Sequence, residues 1–202
     1  MIVMQCGAHL PKLGIASGFQ VVLPDSACVS GERMPLVVCL HEDAQDGEHM
    51  LHTLCLNALV EECRVALLLP DGQNSCFLDM VHGPHWETYL MEDLIPFAQR
   101  TFPLGNRLYL LGMGTGGWAA ARLAGRYGDR FAGSLAIDAI PDFQQAYAEG
   151  RLSMMPDLEA ALGDPAGMPD YPLSPDTLWF KDRHHAVQTL RERLNADGSA
   201  TA

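Results

Sequence analysis

Basic side chains are scarce in this chain of 202 residues: 13 Lys and Arg stand against 25 Asp and Glu, for a formal net charge of −12. With a pI near 4.9, such a chain repels phosphate backbones and anionic lipid headgroups. General nucleic-acid binding and membrane-surface association are therefore not expected. No apolar run nears the roughly 18 residues that a membrane span needs. The opening MIVMQCGAHLPKLG lacks the basic segment and apolar stretch of a secretory leader, so a cytoplasmic protein is expected. Cysteines at 6, 28, 39, 55, 63 and 76 show no paired spacing, which reads as free thiols in a reducing compartment rather than a disulfide framework. Internal repeats, coiled-coil heptads and low-complexity tracts are also missing.

What is present is core-forming material, with 48% hydrophobic and 19% charged residues. A chain of this length buries roughly 70% of its unfolded surface and needs neither metal nor disulfide for a core. One domain over residues 1–202 is expected, with a tail frayed from about 195. Phe19–Leu23 reads as an early strand. Leu36–Leu40 (LVVCL) and Val65–Leu69 (VALLL) are continuous apolar runs of the kind buried on both faces of a parallel sheet. Between them, Leu51, Leu54, Cys55, Ala58 and Leu59 recur at helical spacing over 48–63. A Gly-, Asn-, Ser- and His-rich loop covers 73–85. An amphipathic helix through Leu90, Leu94, Phe97 and Ala98 follows, in which Pro96 predicts a kink or a late start. Then come a strand at 108–111, a Gly-rich turn, a helix over about 117–127 and a strand at 134–137. Short helices at 142–150 and 156–163, a loop over 163–175, a last strand at 177–180 and a last helix at 186–194 complete the chain. Strands and helices in this alternation give an α/β protein with a doubly wound, mostly parallel sheet.

The most informative stretch is LYLLGMGTGGWAAARLAG, residues 108–125. An apolar strand runs through Gly112-Met113-Gly114-Thr115-Gly116-Gly117 into an alanine-rich helix. That is the strand–turn–helix setting of a nucleophile elbow, G-x-S-x-G, in which glycines permit a strained turn and close helix–strand packing. The nucleophile's own position holds Gly114.

In this segment, with Trp118, the chain resembles the esterase D and tributyrin-esterase group of α/β-hydrolases, which includes S-formylglutathione hydrolases. Further matches are the strand 36–41 ending in His41, the turn Pro70-Asp71-Gly72, and Gly83-Pro84 with Tyr89 and Glu92-Asp93-Leu94-Ile95-Pro96. Phe131–Ile137 resembles the group's next strand. The matches run in order over about residues 1–142. The resemblance implies an α/β-hydrolase-like fold, a Ser–Asp–His carboxylesterase or thioesterase chemistry, and no cofactor.

Three features depart from that chemistry. Gly114 has no side chain with which to attack a carbonyl. The His-Gly expected in the oxyanion loop reads His41-Glu42-Asp43, placing two carboxylates where N–H dipoles should meet developing negative charge. Only 22 residues follow Phe180, so the sheet is expected to be shortened at its C-terminal end. Asp182 stands where the acid would be, and His184 and His185 come too early for the group's histidine and are expected to begin the last helix.

Each remaining candidate has two readings. Thr115 is a displaced nucleophile or a helix-capping hydroxyl. His41, Glu42 and Asp43 with His82 and His85 converge as a metal cluster or form a solvated rim over a former active site; the second reading is favoured and no metal is expected. His49 and His52, spaced i, i+3, are ligands or surface histidines. Cys76 is a displaced nucleophile beside His82 or a loop thiol. Trp86 and Trp118 read as packing residues, and Glu92 and Asp93 as a solvated helix face. The leading expectation is a catalytically degenerate esterase homologue that binds a small acyl-type ligand, and pairs with itself or with an active relative across an exposed sheet edge. The other is a hydrolase of small esters or thioesters using water activated by His41, Asp43 or a metal.

Overall fold

The continuous apolar runs form the centre of one sheet because helices cover both of its faces. The computed structural model describes residues 1–152, 158–164 and 171–199. Its strands are β1 (Ile2–His9), β2 (Ala16–Leu23), β3 (Met34–Leu40), β4 (Ala66–Pro70), β5 (Leu104–Met113), β6 (Phe131–Ile137) and β7 (Leu178–Phe180), in the spatial order β1-β2-β4-β3-β5-β6-β7. β2 is antiparallel to both of its neighbours, and every pair from β4 across to β7 is parallel. The helices are α1 (Asp25–Ser30), α2 (Gly47–Thr53), α3 (Leu56–Cys63), α4 (Trp86–Thr88), a π-helical turn (Tyr89–Leu94), α5 (Ile95–Thr101), α6 (Thr115–Tyr127), α7 (Phe143–Ala148), α8 (Leu158–Leu162) and α9 (Arg183–Ser199).

The two-residue period of the strands sorts the core. Leu36, Val38, Leu68, Leu108 and Leu110 pack beneath Leu90, Leu94, Ala120 and Leu123 of the π turn and α6. Val37, Cys39, Leu67, Leu69, Tyr109 and Leu111 pack against Met50, Leu59 and Leu190 of α2, α3 and α9. The expected α/β sheet is thus observed. Among the described residues no strand follows β7, and the chain continues as α9.

Several local expectations change. The single helix expected over 48–63 is two, because Cys55 adopts a left-handed backbone with φ 51° and separates α2 from α3. Asp46 starts α2 by accepting from the His49 amide at 2.8 Å. Pro96 makes a late start: it occupies the first turn of α5, directly after the π turn. The last helix, in which Leu190 and Leu194 pack against the sheet, runs to Ser199, and Asp197 within it meets Arg107 and Tyr109. Parts of the expected 156–163 helix and 163–175 loop lie outside the described residues.

The 73–85 loop is fastened to α6 by a buried ion pair. Arg122 and Glu87 are bonded to each other, each almost wholly inaccessible. Arg122 also donates to the Phe77 carbonyl at 2.8 Å, and Tyr127 and Arg126 meet the other Glu87 oxygen, each at 2.9 Å. Both Glu87 oxygens are bonded, and of the Arg122 nitrogens only Nε lacks a partner; removing either member of the pair would strand the other at a cost of about 3–5 kcal/mol.

The joint between β3, β5 and α6 depends on missing side chains. A Cβ on Gly116 would lie 2.1 Å from the Leu40 carbonyl oxygen, and one on Gly112 would lie 2.0 Å from the Gly116 oxygen. Gly116→Ala should therefore force the backbones apart and cost at least about 2 kcal/mol by urea unfolding; a loss under about 0.5 kcal/mol would show that the joint has slack.

Candidate functional site

The turn after β5 keeps the conformation of an elbow without its side chain. Gly114 has φ 56° and ψ −123°, a region open to glycine and costly for other residues. Its amide donates to the Ile137 carbonyl at 2.9 Å, and its carbonyl accepts from Gly117 and Trp118 at 3.1 and 3.3 Å to open α6. The turn is pinned on both sides.

The space over the turn is filled from β3's end. A Cβ built on Gly114 would stand 2.7 Å from the Glu42 Cβ and 2.8 Å from its Oε2. Glu42 therefore occupies the volume that a residue-114 side chain would need. In the next position, the Asp43 amide donates to Thr115 Oγ1 at 3.1 Å. Elbow enzymes build their oxyanion hole from the amide after the nucleophile and one from this β3 loop. Here a loop amide is spent on a neighbouring hydroxyl instead. Thr115 neither caps α6, as expected, nor stands free as a nucleophile; it ties α6 to the loop.

His41 lies under the loop, not above it. Its ring is buried, Nδ1–H donates to the Glu42 carbonyl at 2.8 Å, and Nε2 accepts from the Gly72 amide at 2.9 Å. Both nitrogens are engaged, the tautomer is set, and Phe77 packs edge-on at 5.2 Å. The reading of His41 as a base that activates water is therefore corrected: its lone pair already holds the Pro70-Asp71-Gly72 turn.

A cavity of about 230 Å³ opens above Gly114, lined by Glu42, Asp43, Thr115 and Asp138 on the polar side and by Ile140, Phe143 and Leu152 on the apolar side. Met113 and Gly112 are buried in the strand below it. The cavity is larger than a water by a wide margin, roughly eight water volumes. Asp138, with φ 53° at the end of β6, was not singled out from the sequence; its position directly after a core strand was the available signal.

The other candidates disperse. His82 is exposed beside a separate cavity with Gln73, Asn74 and Ser75, and the His85 ring faces Asp79 at 3.9 Å. They do not join His41, Glu42 and Asp43, and among the described residues no group of three or more His, Cys, Asp or Glu side chains is arranged to hold a metal. Asp182 caps α9, accepting from the His185 amide at 2.7 Å, while His185 packs on Phe180 and His184 lies beside Cys55 and Arg183. Neither histidine lines the elbow cavity. Burial raises the Cys76 thiol well above its ordinary pKa, assisted by the Asp43 charge and opposed by Arg122, so it is a core group and not a thiolate nucleophile. His49 and His52 are exposed on α2. Trp118 stacks on Phe143 at 4.4 Å and Trp86 packs on Tyr89. Glu92 and Asp93 hold the β1–β2 connection, through Lys12 Nζ at 2.8 Å and the Lys12 amide at 2.7 Å.

No family model matches the chain. Its fold is shared over nearly its whole length with serine hydrolases. FphF of Staphylococcus aureus, a fluorophosphonate-binding serine hydrolase, superposes with a TM-score of 0.75 at 17% identity, covering 96% of this chain and 97% of that one. An S-formylglutathione hydrolase from Agrobacterium tumefaciens gives 0.70 at 16% identity, covering 98% and 93%. In sequence, an acetyl esterase of Caldicellulosiruptor saccharolyticus is 28% identical over 137 residues, 59% of this chain. The chain matches about half the length of that relative. Sequence and fold alike are similar to those of esterase-group serine hydrolases with the α/β-hydrolase fold. No helix among the described residues is long and apolar enough to cross a membrane.

The buried imidazole has a pH signature. Burial lowers the His41 pKa below its ordinary 6.5, against the raising influence of the Glu42 carbonyl bond and of the Asp71, Asp46 and Glu42 charges. The unfolded chain binds this proton more readily than the folded one, so the contribution is whole above pH 6.5 and is lost as pH falls below it. Urea unfolding across this range should show a slope that His41→Asn reduces; an unchanged slope would contradict the buried neutral ring.

Proposed function

We propose that the chain is a catalytically silent relative of the serine esterases, acting as one unit that binds a small acyl-type ligand in the cavity over the vacated elbow. The observation that carries this reading is Glu42, whose Cβ and carboxylate stand within 2.8 Å of where a residue-114 side chain would begin. An attacking oxygen has neither an atom to sit on nor room to sit in. No imidazole lines the cavity among the described residues, so the histidine base of the Ser–Asp–His cycle has no counterpart there.

The lining sets the ligand's chemistry. Glu42, Asp43 and Asp138 oppose an entering carboxylate, so ionised acids, the products of ester hydrolysis, are disfavoured. Uncharged esters or amides with a short apolar portion fit the wall of Ile140, Phe143 and Leu152. The competing reading, a hydrolase built on activated water, loses its best base because the His41 ring is bonded at both nitrogens.

Hydrolysis of p-nitrophenyl acetate and butyrate, with and without added Zn²⁺, tests this. The wild-type chain should not exceed the solution background, and Gly114→Ser alone should not restore turnover. Turnover by the wild-type chain that disappears in Glu42→Gln or Asp43→Asn would overturn the reading.

A further inference from the structure

The two sides of the elbow cavity ask for different chemistry. Ile140 and Phe143, whose ring stacks on Trp118, suit the uncharged acyl portion described above. Glu42, Asp43 and Asp138 line the same space, and no Lys, Arg or His is among the lining residues. Glu42 and Asp138 form no ion pair and no side-chain hydrogen bond among the described residues. A ligand entering here displaces part of the water that solvates these carboxylates. It must bring positive charge or leave them less well solvated.

Thr115 supplies an independent observation. Its side chain lines the cavity with the residue only 6% exposed, and its oxygen accepts from the Asp43 amide at 3.1 Å. Among the described residues no acceptor takes its hydroxyl hydrogen. A buried donor left without an acceptor is costly, and a ligand carbonyl in the cavity would answer it. The shape of the cation is also set. The carboxylates do not converge on one point, since among the described residues no group of three or more His, Cys, Asp or Glu is arranged to hold a metal. An alkylammonium has three N–H donors to share among separated carboxylates, and a carbon chain that lies on the apolar wall.

We propose that the ligand of this cavity is an ester or amide that also carries a primary ammonium group. Its carbonyl accepts from the Thr115 hydroxyl, its short chain lies on Ile140 and Phe143, and its ammonium is held by Glu42, Asp43 and Asp138. The net charge of −12 favours the approach of such a cation. The proposal rests on the reading of the cavity as a ligand site and not on the silence of the elbow.

Titration of the isotope-labelled full chain at neutral pH, followed by the backbone amide shifts of Gly114 and Thr115, tests it with β-alanine ethyl ester, ethyl butyrate and monoethyl succinate. These probes share an ethyl ester and a short chain, and end in a cation, a methyl group and an anion. The cationic ester should bind at least about tenfold more tightly than the neutral one, with the anion weakest. Glu42→Gln and Asp138→Asn should each cut the cation-to-neutral ratio at least about threefold. Asn tolerates the φ of 53° at position 138, and circular dichroism should show both variants folded. Thr115→Val should weaken the cationic and neutral esters alike, and Thr115→Ser, which keeps the donor, should not. Neutral and cationic esters that bind equally would overturn this inference alone, as would a preference unmoved by both carboxylate variants or affinities unmoved by Thr115→Val. No binding of any probe would remove the ligand-site reading and this inference with it. Hydrolysis of the cationic ester with the same preference would support this inference and overturn the silence of the elbow.

Discussion

The contact on which the site depends is the approach of the α6 backbone to the end of β3. Gly116 rests against the carbonyls of Leu40 and His41 so closely that even a methyl group is excluded. This fixes where β5 turns, how Gly114 is held at φ 56°, and how near the His41-Glu42-Asp43 loop comes to the turn. In an elbow of this kind the strain is normally borne by a nucleophile that needs it. Here the strained residue is a glycine, for which the conformation costs little, so the architecture survives without the stored strain.

The loop beside it has taken on other work. His41 ties β3 to the Pro70-Asp71-Gly72 turn, the Asp43 amide ties to α6 through Thr115, and Glu42 extends into the emptied volume. These three residues occupy positions where an esterase-group enzyme would prepare for an oxyanion. Glu42 and Asp43 line the cavity with carboxylates, while His41 is bonded at both ring nitrogens beneath them. The glycine at position 114, the engaged Asp43 amide and the doubly bonded His41 ring are thus spatially one feature, centred on a loop of three residues.

The core was legible because both-face burial leaves a simple trace. LVVCL and VALLL could be strands and little else at that length, and the glycine pattern around position 114 marked the turn. β1 escaped notice because an edge strand buries only Met4, Cys6 and Ala8 in part, which leaves no apolar run. The break at Cys55 was hidden because left-handed cysteine has no sequence signature. In the site, the absence at Gly114 was plain, but the filling of that absence by Glu42 is a fact of packing. His82 and His85 looked like partners for His41 only while the path of the 73–85 loop was unknown; the Arg122–Glu87 pair directs that loop elsewhere.

The central claim is that Glu42 and a side chain at position 114 compete for the same volume. A double-mutant cycle in urea unfolding measures this directly: Gly114→Ser is compared in the wild-type chain and in a Glu42→Gly background. Backbone strain at φ 56° is common to both arms and cancels. The account predicts that Gly114→Ser is less costly by at least about 1 kcal/mol once Glu42 is removed. Equal costs in the two backgrounds would mean that the elbow is open, and would contradict it.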